Sequence, residues 1–75
     1  MSRPLTLTEE RIIQVMRSAA ASGAYLLHRE HLRQEVGRRF PGTSNIFGAL
    51  EDLERDGVLG VDANGFYHLV GVIHA

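Results

Sequence analysis

Apolar positions recur along most of the chain with the period of an α-helix, and the pattern breaks where Gly, Pro and small polar residues gather. Thr6-Leu7-Thr8-Glu9 has the Thr-x-x-Glu spacing of a capping box, in which side chain and backbone satisfy two of the amide groups left open at a helix start. Over residues 9–22, Ile12, Ile13, Val15, Met16, Ala19 and Ala20 fall on one side, a stripe roughly 160° wide on a helical wheel. Arg11, Gln14, Arg17 and Ser18 lie opposite. Gly23 follows, where a left-handed residue commonly ends a helix. Ala24-Tyr25-Leu26-Leu27 is too short for a helix and reads as an extended segment or brief strand. In residues 28–40, Leu32, Val36 and Phe40 recur every fourth position, which predicts a second helix that contains Gly37. Pro41-Gly42 stops it.

A third helix is predicted from a cap at Thr43 or Ser44 to Asp56, closed by Gly57. Its buried side is Ile46, Ala49, Leu50 and Leu53; Ser44, Gly48, Glu51 and Arg55 lie opposite, with Asn45, Phe47 and Asp52 at the borders. Glu51 and Arg55 have the spacing of a surface ion pair. Two apolar runs, residues 58–62 and 66–70, flank Ala63-Asn64-Gly65. Asn-Gly in that setting signals a hairpin, because both residues accept the positive φ of a type I′ turn. That turn would put Leu59, Val61, Ala63, Phe66, His68 and Val70 on one face and Gly60, Asp62, Tyr67 and Leu69 on the other; a longer loop from Asp62 to Gly65 would change that register.

The expected architecture is therefore α+β: three helices, a short strand between the first two, and a C-terminal hairpin. The 75 residues allow a single domain, with residues 6–70 as its core and 71–75 as an apolar tail. No cysteine is present, which excludes a disulfide scaffold and a thiolate metal site. No apolar run approaches the ~20 residues that span a bilayer, and no signal-peptide pattern opens the chain, so a cytoplasmic location is expected. A chain this short seldom builds a pocket and a catalytic set. No Ser–His–Asp set, glycine-rich phosphate loop or convergent carboxylate pair is visible, so neither an enzyme nor a cofactor site is expected. His28 and His31 are three apart but have no third ligand nearby in sequence, and they read as surface histidines rather than a metal site.

Charge changes the picture more than composition does. All eight basic residues are Arg, the side chain suited to bidentate contact with phosphate or carboxylate. Residues 1–42 hold seven Arg against four acids, a balance of +3, and residues 43–75 hold Arg55 against five acids, a balance of −4. The net charge of −1 thus conceals a molecule polar along its length.

Helix, strand, helix, turn, helix, hairpin, with Leu50-Glu51-Asp52-Leu53-Glu54-Arg55-Asp56-Gly57-Val58-Leu59 leading from the third helix into the hairpin, resembles the winged helix-turn-helix superfamily of small DNA-binding transcriptional regulators. The resemblance covers roughly residues 7–70 and rests on element order and this ten-residue pattern. It implies double-stranded DNA as partner, with the third helix in the major groove and the hairpin as wing. Carried onto this sequence, it places Ser44, Asn45, Gly48, Glu51 and Arg55 toward the bases, with the Thr43 and Ser44 hydroxyls at the phosphate-facing start of the helix. Arg38 and Arg39, just before the turn, would clamp flanking phosphates, followed by Arg29 and Arg33. A homodimer through the broad stripe of the first helix and the tail would double the half-site.

Each of these residues also has a plain structural role open to it. Thr43 or Ser44 can be the helix cap, and Asn45 a second cap. Gly48 can relieve a close contact, Arg38 and Arg39 can form a solvated helix end, and Phe47 can belong to the core border. Two features depart from DNA-binding relatives: the wing tip carries Asp62 and Asn64 but no cation, and the third helix is acidic over its second half; the link between the second and third helices, read from Gly37 to Gly42, is also longer than the tight turn common among them. The competing expectation is a protein-interaction module, or adaptor, on the same fold. It gains if Arg38 and Arg39 point away from the exposed side of the third helix or are held by the protein's own acids.

Overall fold

The computed structural model describes residues 4–70. It is a small α+β fold of three helices and a three-stranded antiparallel sheet, in the order α1 (Leu7–Ala21), β1 (Leu27–His28), α2 (Arg29–Arg39), α3 (Ile46–Arg55), β2 (Leu59–Val61) and β3 (Phe66–Leu69). The layout is consistent with that of a winged helix. The expected tail, residues 71–75, lies outside the described residues.

Local chemistry fixes most element ends. The Thr6 hydroxyl accepts from the Glu9 amide at 3.2 Å, and Glu9 Oε1 accepts from the Thr6 amide at 2.8 Å. This is the capping box read from the sequence, with Glu9 almost fully buried. Helix α1 begins two residues earlier than the apolar period suggested, because the cap rather than the first apolar residue sets the start. Gly23, at φ 93°, stands just past its C-cap Ser22. In α2 the N-cap is His28, whose Nδ1 accepts from the Glu30 amide at 3.3 Å. Gly57, at φ 80°, follows α3.

The core joins every element: Ile12, Val15 and Met16 of α1, Leu32 and Val36 of α2, Leu50 and Leu53 of α3, and Leu27, Leu59 and Tyr67 of the sheet. The predicted inner side of α3, Ile46, Ala49, Leu50 and Leu53, is buried as read. The broad stripe of α1 lies inside the monomer, since Ile12, Ile13, Val15 and Met16 are all core residues. They are therefore not exposed for the dimer contact expected of them.

Four local expectations are corrected. The short strand is at Leu27–His28 rather than over residues 24–27, because only those two residues reach β3, as Leu27–Tyr67 and His28–Phe66 pairs. Helix α2 continues to Arg39, so the link to α3 begins at Phe40 instead of Gly37. The N-cap of α3 is Asn45, in the left-handed region at φ 58°, not Thr43 or Ser44. The hairpin is closed by three residues, Ala63-Asn64-Gly65, not by a two-residue type I′ turn. Asp62 and Phe66 face each other, with the Asp62 amide donating to the Phe66 carbonyl at 3.0 Å, and Gly65 takes φ 84°. Asp62 Oδ1 accepts from the amides of Asn64 and Phe66 at 2.9 and 3.0 Å, a side-chain turn that favours the longer loop.

That loop decides the faces. With Leu59 opposite Leu69, Gly60 opposite His68 and Val61 opposite Tyr67, strand alternation turns Leu59, Val61, Tyr67 and Leu69 toward the helices. Gly60, Phe66 and His68 take the outer face.

Candidate functional site

Around α2, the buried Leu32 and Val36 separate two flanks. Helical spacing puts Arg29, Arg33 and Gly37 on one of them and His31, Glu35, Arg38 and Arg39 on the other. The first flank borders α3. The Arg29 guanidinium lies over the Phe47 ring at 5.2 Å, a cation–π contact. Arg33, Gly37, Thr43, Asn45, Ile46 and Phe47 line an open groove of about 400 Å³ between α2 and the start of α3.

The second flank holds the arginine pair expected to clamp phosphates. Arg38 Nη2 is 2.7 Å from Glu35 Oε1, and Arg39 Nε is 3.7 Å from the same oxygen. The Arg38 hydrogen bond is the main reason that the Glu35 carboxyl is held below its ordinary pKa, with the Arg38, His31 and Arg39 charges adding to it; the Arg38 guanidinium is shifted up in return. Two of the remaining arginines of the expected site, Arg33 and Arg55, also have acidic neighbours within α2 or α3. Arg33 Nε is 3.3 Å from Glu30, and Arg55 pairs with Asp52 at 2.7 Å, one residue closer than the Glu51 partner read from the sequence. These are exposed pairs, screened by solvent, and they add little to stability. What they set is mainly the local charge.

The link between α2 and α3 is tied to α1. Thr43 Oγ1 donates to the Phe40 carbonyl at 2.6 Å and accepts from Arg11 Nη1 at 2.8 Å. The same Arg11 guanidinium lies over the Phe40 ring at 5.3 Å. Thr8 Oγ1 reaches the Ser44 carbonyl at 3.4 Å. Thr43 is thus engaged inside the protein, as an anchor instead of a cap. Asn45 makes no capping hydrogen bond; its amide lies so close to Gly48 that a Cβ there would collide with it. The missing side chain at Gly48 accommodates Asn45.

The exposed side of α3 is acidic. Glu51, Glu54 and Asp56 are exposed and Asp52 is half-exposed, against Arg55 alone. Tyr67, buried under this surface, has its hydroxyl pKa pushed up first by burial and then by Glu54 and Glu51, with Arg29 acting against them. No group of three or more metal-ligating side chains occurs among the described residues, and no described helix is long and apolar enough to cross a membrane.

The structure therefore brings Arg29, Arg33, Thr43, Asn45 and Gly48 to the α2–α3 groove or its rim, leaves Ser44 exposed beside them, and separates Arg38, Arg39 and Arg55 from them. Sequence reasoning passed over Arg11 and Phe47 as contributors. Both act through partners more than ten residues away, and no local spacing reveals such pairs. The chain matches no family model, no curated protein and no solved structure.

Proposed function

We propose that this protein is a small protein-interaction module on a winged-helix-like scaffold, meeting a cationic partner protein through the exposed side of α3 and the neighbouring hairpin. One observation carries this reading. The exposed side and C-cap of α3 carry four carboxylates against one arginine, which is paired with Asp52, while Arg38 and Arg39 sit on the far flank of α2 beside Glu35. A polyanion approaching α3 meets like charge, and each acid near phosphate raises the cost of docking. A cationic protein surface meets the complementary sign.

The test is an NMR titration with two probes, an arginine-rich decapeptide and a random-sequence DNA duplex. The peptide is expected to shift the amides of residues 51–56, and the double substitution Glu51→Lys/Glu54→Lys to weaken it at least tenfold. Peptide shifts confined to other elements contradict the proposal.

A second reading, a transcriptional regulator binding duplex DNA, is favoured by the cluster of Arg29, Arg33, Thr43 and Asn45 at the start of α3. It predicts duplex-induced shifts over residues 43–48 and a loss of affinity when Arg29 and Arg33 are both replaced by Ala. The homodimer belongs to both readings.

A further inference from the structure

Arg29 is the one arginine of α2 with no carboxylate partner among the described residues. Arg33, Arg38 and Arg39 lie against Glu30 or Glu35, whereas the Arg29 guanidinium is held over the Phe47 ring. That contact restrains the cation without neutralising it. Arg33, one turn further along the same flank, meets Glu30 through Nε. Its two terminal nitrogens have no hydrogen-bond partner among the described residues. Arg33 lines the groove of about 400 Å³ between α2 and α3, and Arg29 covers Phe47 in the groove wall.

The protein itself leaves this groove open and positively charged. The first turn of α3 holds no acid. Gly37 has no side chain to fill the space, and a Cβ there would meet nothing within 4 Å. Below the charged rim the wall is apolar, with Ile46 buried and Phe47 half-buried.

From this we infer that the groove receives a carboxylate side chain of a partner protein, carried beside an apolar residue. A guanidinium can hold a carboxylate through two parallel N–H···O bonds, and Arg29 and Arg33 offer their charge from the same flank. The apolar wall takes the hydrocarbon next to that charge, while the few polar groups fix its orientation. A single carboxylate suits the site better than a nucleic-acid backbone does. A run of phosphates continuing along α3 meets Glu51, Asp52 and Glu54 within two turns, and each adds repulsion. A lone charge ends in the groove. The site is separate from the acidic side of α3 and does not depend on what that side binds.

The test is an NMR titration of the full chain with a blocked pentapeptide that has Glu at its centre between two Leu, set against the same peptide with Gln in place of Glu. The Glu peptide is expected to shift the amides of residues 33, 37 and 45–48 saturably, and the Gln peptide to bind at least tenfold more weakly. The double substitution Arg29→Gln/Arg33→Gln is expected to weaken the Glu peptide at least tenfold. Gly37→Leu is expected to do the same by filling the groove, and it leaves the helix intact because the position is exposed and Leu is the better helix former. Equal affinity for the two peptides overturns the inference, as do shifts confined to other elements or an unchanged affinity in Gly37→Leu protein. Inorganic phosphate that binds as tightly as the Glu peptide would show a bare anion site with no use for the apolar wall. A random-sequence duplex that binds more tightly at the same amides would make the groove a nucleic-acid site. Either result overturns the inference. The response of residues 51–56 to the arginine-rich peptide is read from different amides, so the two proposals stand or fall separately.

Discussion

Asn45 and Gly48 show how a residue's role is set by its neighbours. A non-glycine residue with positive φ is uncommon, and Asn is among those that tolerate it. Here that conformation carries the Asn45 amide over Gly48. A Gly-to-Ala change inside a helix ordinarily stabilises by about 0.5–1 kcal/mol. In the native background Gly48→Ala must first displace the Asn45 amide, so its gain is expected to be smaller than in an Asn45→Gly background. A double-mutant cycle by urea unfolding measures the difference, and equal gains would contradict the contact. Tyr67 gives a second test. Its folded pKa is raised by burial and by Glu54 and Glu51, so the associated stability is intact below the unfolded value of about 10. It is lost as pH rises through the folded value. Tyr67→Phe is expected to flatten the fall in thermal stability above pH 10. At this scale the sequence was legible where chemistry is local. Thr6 and Glu9 form their box within four residues, whereas the Thr43 hydroxyl is claimed by Arg11, 32 positions away, and no local pattern announces that.

Among the elements, periodicity located all three helices, because each buries a four-residue-spaced stripe against the others. The hairpin was legible as a hairpin but not in its register. Asn64-Gly65 is compatible with both a two-residue turn and the second half of a three-residue loop, and the Asp62 side chain, which accepts two amides, tips the choice. Because strand faces alternate, that single residue of loop length exchanges the inner and outer sets and brings Tyr67 instead of His68 into the core. Gly65 carries the positive φ of the loop. Gly65→Ala is expected to destabilise by about 1–2 kcal/mol, the cost of a side chain in the left-handed region, read from denaturant unfolding. The lone short strand was misplaced because pairing with β3, not composition, defines β1.

For the whole molecule, the charge asymmetry between the two parts of the chain is mapped onto different surfaces. Helix α2 carries four arginines against Glu30 and Glu35, and the exposed side of α3 carries the opposite sign. The candidate site was legible as a set of residue types, not as a surface. Arg29 and Arg33 were read with Arg38 and Arg39 as one series, but helical geometry divides them across the buried Leu32–Val36 stripe. Only the Arg29 and Arg33 flank reaches α3. The central claim is that the exposed side of α3 receives a cationic protein surface and repels a polyanion. The most direct test is the affinity for random-sequence duplex DNA as a function of salt, from about 50 to 200 mM. The account predicts no association tighter than about 1 mM at 150 mM salt and no duplex-induced shift on α3. Micromolar binding whose logarithm falls linearly with log salt, with shifts over residues 43–48, would contradict it and make the protein a DNA-binding regulator.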